Sequence, residues 1–412
     1  MSFLRIRAAT VLPIAGPAIR DGAVLVGEEG RIAEIGEHRD VPAPENAELV
    51  ELNEAILMPG LVNLHTHLEL TGMNGMVDDD DFADWIRHIK RAKEEQTEDS
   101  FLEAAKRGVK DAWAAGITTV ADTGDTGSVA YALFELEASG VVYQEVFGPH
   151  PDQVPESMKE LERRIAELGS LAGRRLSVGV SPHAPYTVSG PLYSAVSEFA
   201  GRYELPMALH IAESNYETEL ITKHTGAFAE AWKQRGIPLP KRADSPVKYL
   251  HEFGVLERSP LAIHAVQVDD EDLSLLEQYN CPIALCPRSN VRHGHGEPPI
   301  RMMRSHNLAM GVGTDSVASV DTLDMFAEMR EVGRLGGLKP YETLQLATGS
   351  GADAIGLADV GRLKRGAWAD MIAIQPSENL EGWIADPEAR VLDADPTEVA
   401  RTYLSGRMVF CR

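Results

Sequence analysis

The middle of the chain alternates short apolar segments with helical patterns, and this alternation constrains the fold more than any other feature. Eight of these segments have the length and composition of buried strands: 57–64, 117–121, 141–147, 176–180, 207–211, 261–265, 283–285 and 309–312. Strands that alternate with helices form parallel sheets, and eight βα pairs over ~300 residues suit an α/β fold of the (β/α)8 TIM-barrel type. An open, doubly wound sheet is the alternative, but no Gly-x-Gly-x-x-Gly follows the first segment.

Both ends of the chain differ from this middle. Residues 1–56 contain short alternating strands around the turn Gly27-Glu28-Glu29-Gly30, with no long helical period. Residues 363–412 repeat the pattern around the turn Ser405-Gly406. We therefore expect the two ends to form one small, discontinuous β-sandwich domain, and residues 57–362 to form the barrel domain.

Helical patterns occupy the connections between the predicted strands. The sequence Ser100-Phe101-Leu102-Glu103 predicts a capping box, and Gly116 predicts where the helix that follows it ends. Further helices are predicted at 156–168, 192–203, 217–235, 271–279 and 322–334.

The net charge of -24 limits the partners that this chain can have. A strongly acidic surface opposes docking on nucleic-acid phosphates and on anionic membranes, so we expect neither as a partner. The acidic run 78–81 is predicted to be a solvated loop. We expect a small-molecule substrate, and any oligomer is expected to be a homodimer, the commonest kind.

The cysteines and the N-terminal residues indicate the compartment. Cys281, Cys286 and Cys411 are sparse and odd in number, unlike a disulfide framework, which favours a reducing compartment. The apolar-leaning segment 8–19 contains Pro13, lacks a clear cleavage site and is too short to span a membrane. These features predict a cytoplasmic protein.

Residues able to bind a metal or transfer a proton follow five of the predicted strands. The first strand ends in His65-Thr66-His67, whose two imidazoles project from the same face of an extended strand. The other four strand ends carry His183, His210 with Glu213, His264, and Asp315. Because barrel enzymes place their chemistry at the C-terminal ends of the strands, we expect these side chains to converge.

The converging side chains predict a site for one divalent metal ion. Imidazole nitrogens and a carboxylate suit Zn²⁺, the first choice, and are also acceptable to Fe²⁺. The predicted ligands are His65, His67, His210 and Asp315. They leave room for a water whose pKa such an ion lowers from about 16 toward about 7. The fourth predicted barrel strand carries no lysine to bridge two ions, which favours a single ion.

Three residues are predicted to carry the proton chemistry. Glu213 lies three residues after a predicted ligand, which places it beside the metal site as a proton shuttle. His264 is predicted to hold the attacking water or the developing oxyanion. Asp315 is predicted to accept a proton from the water as well as to bind the metal.

These motifs resemble those of the amidohydrolase superfamily, in its mononuclear deaminase and chlorohydrolase branch. The resemblance covers nearly the whole chain and rests on the split β domain, Pro59-Gly60 before His65-Thr66-His67, His210-Ile211-Ala212-Glu213, and Thr314-Asp315-Ser316. It implies hydrolytic removal of a leaving group, usually ammonia, from an aromatic heterocycle. It also implies the ligand, shuttle and water-orienting roles given above, and a substrate contact for His183.

A finer resemblance is to the aminodeoxyfutalosine deaminases of menaquinone synthesis. It rests on His65-Thr66-His67-Leu68-Glu69-Leu70, on Phe82 with Trp85-Ile86, on Cys286-Pro287-Arg288-Ser289-Asn290, and on Gly313-Thr314-Asp315-Ser316-Val317-Ala318-Ser319. Close relatives of those enzymes deaminate S-adenosylhomocysteine, methylthioadenosine or adenosine. One position departs from the pattern, because Val320 stands where asparagine is expected.

The expected substrate is therefore a 6-aminopurine nucleoside, either aminodeoxyfutalosine or a related adenosine derivative. The residues expected to contact it are His183, Glu69, Trp85, Arg288 and Ser316. Some have simpler explanations, since Trp85 could pack in the core and Arg288 could form an ion pair. Glu69 is expected to orient a ligand histidine, with a salt bridge as the alternative. His293 and His295 form a second His-x-His, which we interpret as a loop near the pocket because no further ligands cluster around it.

Two other classes of function stay open at this point. The ring and leaving group could differ, as in a guanine or pterin deaminase or a triazine-type chlorohydrolase, because fold and metal chemistry do not choose the ring. A non-catalytic binding protein on the same fold is the more remote alternative. Such a protein would be expected to lack some ligands or Glu213, and this chain has the full set.

Overall fold

The computed structural model describes residues 3–76, 81–375 and 386–412. The chain divides into two compact units. The first comprises Met1–Asn63, Val109–Val120 and Leu323–Arg412, and the second comprises Leu64–Gly108 and Ala121–Thr322. The predicted small domain, residues 1–56 and 363–412, falls within the first unit. The predicted domain boundaries at 57 and 362 stay predictions.

The strands of the described residues are, in chain order, β1 (Leu4–Val11), β2 (Ile19–Val26), β3 (Ile32–Glu37), β4 (Glu48–Pro59), β5 (Leu61–Thr66), β6 (Ile117–Gly124), β7 (Gly140–Val146), β8 (Leu176–Pro182), β9 (Ala208–Ile211), β10 (Leu261–His264), β11 (Ile283–Leu285), β12 (Met310–Val312), β13 (Met371–Ile374), β14 (Val399–Leu404) and β15 (Arg407–Cys411).

The α-helices of the described residues are α1 (Phe82–Glu94), α2 (Glu98–Ala114), α3 (Ser128–Glu135), α4 (Val154–Gly169), α5 (Gly190–Tyr203), α6 (Asn215–Lys223), α7 (Gly226–Gln234), α8 (Pro246–Glu252), α9 (Asp270–Gln278), α10 (Pro287–Arg292), α11 (Ile300–Ser305), α12 (Val317–Val320), α13 (Met325–Gly336), α14 (Pro340–Leu346), α15 (Gly349–Ala354) and α16 (Pro387–Leu392). None of the helices in the described ranges is long and apolar enough to cross a membrane.

Strands from both chain ends join in one seven-stranded mixed sheet, in the order β15-β14-β13-β4-β1-β2-β3. Leu4, Ile6 and Ala8 of β1 alternate along the strand and pack in one apolar core with Met371 and Tyr403. The sheet is continuous because β4, with 12 residues, pairs parallel with β1 and then antiparallel with β13. The strands therefore form one hydrogen-bonded sheet, and the predicted β-sandwich arrangement of this domain stays a prediction.

The central strands form two four-stranded sheets, β5-β6-β7-β8 and β12-β11-β10-β9. Pairing is parallel between β7 and β8 and throughout the second sheet. Helices separate successive strands, as βα units require. The eight strands predicted from the middle of the sequence are all present, with ends displaced by a few residues, so the α/β fold class is confirmed.

The predicted first strand, 57–64, is divided between β4 and β5 at Gly60. The Gly60 N–H donates to the carbonyl of Asp370 at 3.0 Å. A Cβ on Gly60 would lie 2.2 Å from the side chain of Thr118, so only glycine fits this crossing point. One continuous apolar run in the sequence thus serves two different sheets.

The predicted capping box at Ser100 is wrong by one helical turn. Helix α2 begins at Glu98, because Thr97 and Ser100 cap each other: the Thr97 N–H donates to Ser100 Oγ at 2.9 Å, and the Ser100 N–H donates to Thr97 Oγ1 at 3.2 Å. The predicted helix 217–235 is in fact two helices, α6 and α7, separated by His224 and Thr225. His224 ends α6 with a left-handed φ of 60°.

The predicted acidic loop 78–81 falls mostly outside the described residues. Asp81 is described, and it caps α1 by accepting a hydrogen bond from the Asp84 N–H at 3.0 Å. Its other carboxylate oxygen accepts a hydrogen bond from the Tyr216 hydroxyl at 2.6 Å. The last acidic residue of the run therefore has a structural role at the start of a helix.

Candidate active site

The four predicted metal ligands lie together at the C-terminal ends of β5, β9 and β12. The rings of His65 and His67 are 4.8 Å apart, and the ring of His210 lies 4.9 Å from that of His65. Asp315 Oδ1 lies 3.4 Å from Nε2 of His65 and 3.6 Å from Nε2 of His67. These ligands come from distant parts of the sequence and share one buried site.

The backbone after β12 is held in a strained conformation that presents Asp315. Its φ is 64°, in the left-handed region that few non-glycine residues occupy. The carbonyl of His65 accepts hydrogen bonds from the N–H groups of Thr314 and Asp315, at 3.1 and 2.9 Å. The Asp315 carboxylate in turn accepts from the Ser316 N–H at 2.7 Å and from the Ser289 hydroxyl. These bonds stabilise the turn and fix the carboxylate against β5.

The electrostatics of the site suit metal binding. Burial lowers the pKa of His65 to about 4 and the pKa values of His67 and His210 to about 3, so these imidazoles are neutral at physiological pH. Burial alone would raise the pKa of Asp315, but hydrogen bonding to His65 holds it well below its usual range. Metal ions bind neutral imidazole and ionised carboxylate.

The distances also fit a single divalent ion. One ligand atom from each of His65, His67 and His210 lies within 4.8 Å of the others, and the same holds for His65, His264 and Asp315. A site with three imidazoles and one carboxylate is the kind of donor set that holds catalytic zinc. The residues present therefore fit the ion that the sequence predicts.

Glu213 lies directly after β9, beside this ligand set. Its Oε1 is 3.4 Å from Nε2 of His264, and its Oε2 accepts a hydrogen bond from the Tyr186 hydroxyl at 3.3 Å. Burial alone would raise the pKa of Glu213, but the nearby His264 and the hydrogen bond to His295 hold it below its usual range. Glu213 is therefore a buried, ionised carboxylate able to accept a proton.

His264 ends β10 and stands between Glu213 and the predicted ligands. Its ring lies 5.6 Å from the rings of both His65 and His210. Its φ of 75° is left-handed, like that of Asp315. Backbone strain of this kind concentrates at functional sites, where the surrounding structure enforces it.

Among the residues predicted to contact substrate, His183 places its side chain beside a predicted ligand. Its ring lies 4.7 Å from that of His210, and its Nδ1 lies 2.8 Å from Thr187 Oγ1. Its carbonyl accepts a hydrogen bond from the His210 N–H at 2.9 Å. His183 therefore contacts a predicted ligand through both its ring and its backbone.

The other four predicted contacts have different surroundings. Glu69 accepts hydrogen bonds from Lys93 at 2.7 Å and from Thr126, which agrees with the salt-bridge alternative. The Ser316 hydroxyl caps α12. Trp85, on α1, packs 4.6 Å from the ring of His293. Arg288 is half-buried in the first turn of α10.

Sequence reasoning gave no role to two further acidic residues at strand ends. Glu145, on β7, places a carboxylate oxygen within 4.8 Å of ligand atoms of His183 and His210. Asp122, on β6, accepts the Leu68 N–H at 2.7 Å. Burial raises the pKa of both carboxyl groups well above the usual range. The signal was present in the sequence, because both residues end apolar strands just as the predicted ligands do.

The loop of His293 and His295 was interpreted as lying near the pocket, and His295 does contact Glu213. Within the described part of the chain, neither histidine belongs to a group of three potential metal ligands. No sequence signal pointed to Glu213 as the partner of His295, because that contact depends on the path of an irregular loop.

Comparisons with known proteins show what this chain is similar to. The sequence model of the amidohydrolase family matches residues 56–409. A 5-methylthioadenosine/S-adenosylhomocysteine deaminase of Desulfitobacterium hafniense is 32% identical over 395 residues, which cover 91% of this chain and 85% of that protein. One of the same name from Symbiobacterium thermophilum is 27% identical and covers 100% of this chain and 94% of that protein.

Solved structures show the same fold. An adenosine deaminase from Xanthomonas campestris with bound zinc has a TM-score of 0.84 at 24% identity, and the match covers 98% of this chain and 92% of that one. The aminofutalosine deaminase of Helicobacter pylori, in complex with methylthio-coformycin, has a TM-score of 0.83 at 21% identity, and the match covers 98% and 100% of the two chains. The chain therefore belongs to the amidohydrolase family and matches its branch of metal-dependent deaminases.

Proposed function

We propose that this enzyme, a hydrolytic deaminase, acts on a 6-aminopurine nucleoside and releases ammonia. The observation that carries the proposal is the contact of an ionised Glu213 with His264, beside a buried set of three neutral histidines and Asp315. The curated relatives, which are named as deaminases of two adenosine derivatives, support the substrate class.

In this proposal His65, His67, His210 and Asp315 hold one divalent ion, with zinc the first choice and iron(II) the alternative. When bound, such an ion supplies a water of lowered pKa, near 7 in zinc enzymes. The neutral state of the three imidazoles and the ionised state of Asp315 support this assignment.

The remaining residues carry protons and position the reacting atoms. Water adds to the ring carbon that bears the amino group. Glu213 accepts one proton of that water and passes it to a ring nitrogen. The second proton, which Asp315 accepts from the oxygen now bound to the ring carbon, goes to the departing amine, so that the C–N bond breaks, ammonia leaves and a carbonyl remains. His264, 3.4 Å from Glu213, holds the oxygen that adds to the ring. Asp315 accepts a proton from the same water, and His183 contacts the purine.

We further propose that the two four-stranded sheets close into one eight-stranded barrel. A parallel bridge between Val180 and Met207 supports closure on one side. The hydrogen bonds from Thr314 and Asp315 to the carbonyl of His65 support it on the other. The cytoplasmic location and the homodimer stay predictions.

Within the substrate class, aminodeoxyfutalosine and S-adenosylhomocysteine or methylthioadenosine are the leading candidates. The sequence motifs around Glu69 and Arg288 favour the first and a place in menaquinone synthesis. The named relatives favour the other two. All three carry the same 6-aminopurine, so the proposed chemistry is common to them.

An ammonia-release assay tests the proposal. The zinc-loaded and the iron(II)-loaded protein are each incubated with aminodeoxyfutalosine, S-adenosylhomocysteine, methylthioadenosine, adenosine and guanine. We expect ammonia from at least one adenosine derivative and none from guanine. Ammonia from guanine alone would contradict the adenosine-type substrate, and no ammonia from any compound would favour another ring, such as a pterin, or a chloride leaving group.

A further inference from the structure

Glu213 has a second histidine partner that no predicted role includes. Nε2 of His295 lies 3.5 Å from Glu213 Oε1, the oxygen that also faces His264 at 3.4 Å. The side chain of His295 is 3% exposed, so bulk water does not compete for this contact. Tyr186 donates to Oε2, and the two imidazoles face Oε1.

The backbone of the loop around His295 is fixed in a conformation that places the His295 ring beside Glu213. Gly294 and Gly296 flank the residue with φ values of 69° and 98°, which reverse the chain on either side. The His295 N–H donates to the carbonyl of Asn290 at 2.8 Å, and Gln267 Nε2 donates to the carbonyl of His295 at 2.6 Å. The backbone is therefore fixed immediately before and after the side chain.

The imidazole itself is also held from outside the loop. The ring of Phe82, on α1, meets it edge to face, with centroids 4.4 Å apart and planes at 84°. Phe82 is buried. Packing of this kind fixes the orientation of the His295 ring.

We propose that His295 is a positioning residue that fixes the carboxylate of Glu213 by donating a hydrogen bond to Oε1. This inference rests on the proposed function, in which Glu213 carries protons and His264 holds the reacting oxygen. One histidine cannot direct the same Nε2–H to both the carboxylate and the reacting oxygen. His295 supplies a separate hydrogen-bond donor to Glu213. The Nε2–H of His264 can then bond to the reacting oxygen.

Three substitutions test this role. His295→Ala removes the donor, and His295→Gln keeps an N–H donor at similar reach. His306→Ala is the matched control, because His306 pairs with Asp270 and Glu277 and does not contact Glu213. Each protein is metal-loaded and assayed with the best substrate, and its metal content is measured.

We expect His295→Ala to lower kcat about 10- to 100-fold, as loss of a group that orients a site residue does. KM should change by less than about threefold, since the lost bond acts on the chemical step and not on substrate binding. Metal content should stay that of the wild type, and His295→Gln should recover most of the lost kcat. A kcat unchanged in His295→Ala, or equally low in His295→Gln and His295→Ala, would overturn the proposal.

A structural measurement separates this inference from the proposed function. In a crystal structure of the wild type, we expect the carboxylate of Glu213 to face His264 as it does here. In a crystal structure of His295→Ala, we expect this carboxylate to rotate away from His264. If the wild type deaminates none of the compounds, the proposed function fails, while a rotated carboxylate still supports the positioning role. An unrotated carboxylate in His295→Ala overturns the role whatever the substrate.

Discussion

Two buried glutamates that lie four residues apart have opposite net pKa shifts. Glu213 faces His264 and His295, whose effect outweighs burial and keeps its pKa below the usual range. Glu217 accepts hydrogen bonds from the backbone N–H groups of Ala212 and Glu213 at 2.8 and 3.0 Å, and burial raises its pKa to about 8. The first carboxylate is ionised and available for proton transfer, whereas the second holds the backbone that carries the first.

Replacing the proposed shuttle should separate catalysis from metal binding. Glu213→Gln keeps the shape of the side chain and removes its ability to accept a proton. We expect turnover to fall by about 10²- to 10⁴-fold, the usual contribution of general acid–base catalysis. Metal content, measured by elemental analysis, should not change. Metal lost together with activity would mean that Glu213 is a ligand, and exposed Glu230→Gln on α7 is the control.

Glu217 should make the folded protein less stable as the pH rises. Its pKa of about 8 in the folded state lies above the ordinary 4.5. The stability that its bound proton contributes is therefore complete below pH 4.5 and is lost as the pH rises through 8. In Glu217→Gln, which cannot ionise, the melting temperature of the metal-free protein should fall less between about pH 6 and about pH 9 than in the wild type. Equal falls in the two proteins would contradict the assignment.

At the scale of elements, the sequence predicts strands better than it predicts their connections. Apolar segments such as 283–285 are recognisable because burial on both faces demands a continuous apolar run. The break at Gly60 was missed because only a close approach to Thr118 demands it. The start of α2 was misplaced because Thr97 and Ser100 form an equally good reciprocal cap one turn earlier.

The close approach of β12 to β5 should make Gly313 sensitive to any side chain. A Cβ there would lie 2.9 Å from Cys286 Sγ and from the backbone nitrogen of His65. Gly313→Ala should therefore lower stability by about 1–3 kcal/mol, as overpacking does, and weaken metal binding by displacing His65 and Asp315. Thermal unfolding and zinc titration measure the two effects. Gly169→Ala, with open space around it at the end of α4, should neither lower stability nor weaken zinc binding.

At the scale of the whole molecule, the candidate site was predictable to the extent that strand ends define it. The predicted ligands His65, His67, His210 and Asp315 all end or follow strands, and parallel strands bring their ends together. His295 was not predictable as a partner of Glu213, because it lies in an irregular loop whose path depends on contacts with Asn290 and Gln267. The periodicity of the sequence carries no information about such contacts.

The metal should stabilise the molecule over a wide pH range. Burial lowers the pKa values of the three predicted ligand histidines to about 3 or 4, so protons do not compete with the ion near neutral pH. We expect the zinc affinity to be nearly the same at about pH 6 and about pH 8. At 100 times its dissociation constant the ion should add about 2.7 kcal/mol of stability, seen as a higher melting temperature than after chelation. An affinity that falls steeply toward pH 6 would mean that these histidines are exposed.

The sheet built from both chain ends sets an order of events during synthesis. β4 leaves the ribosome early, but β13, its antiparallel neighbour, begins at Met371 and is made near the end. Until then one edge of β4 offers free backbone donors and acceptors in a growing chain. More than three hundred residues must therefore be translated after β4 before β13 can pair with it and complete the sheet.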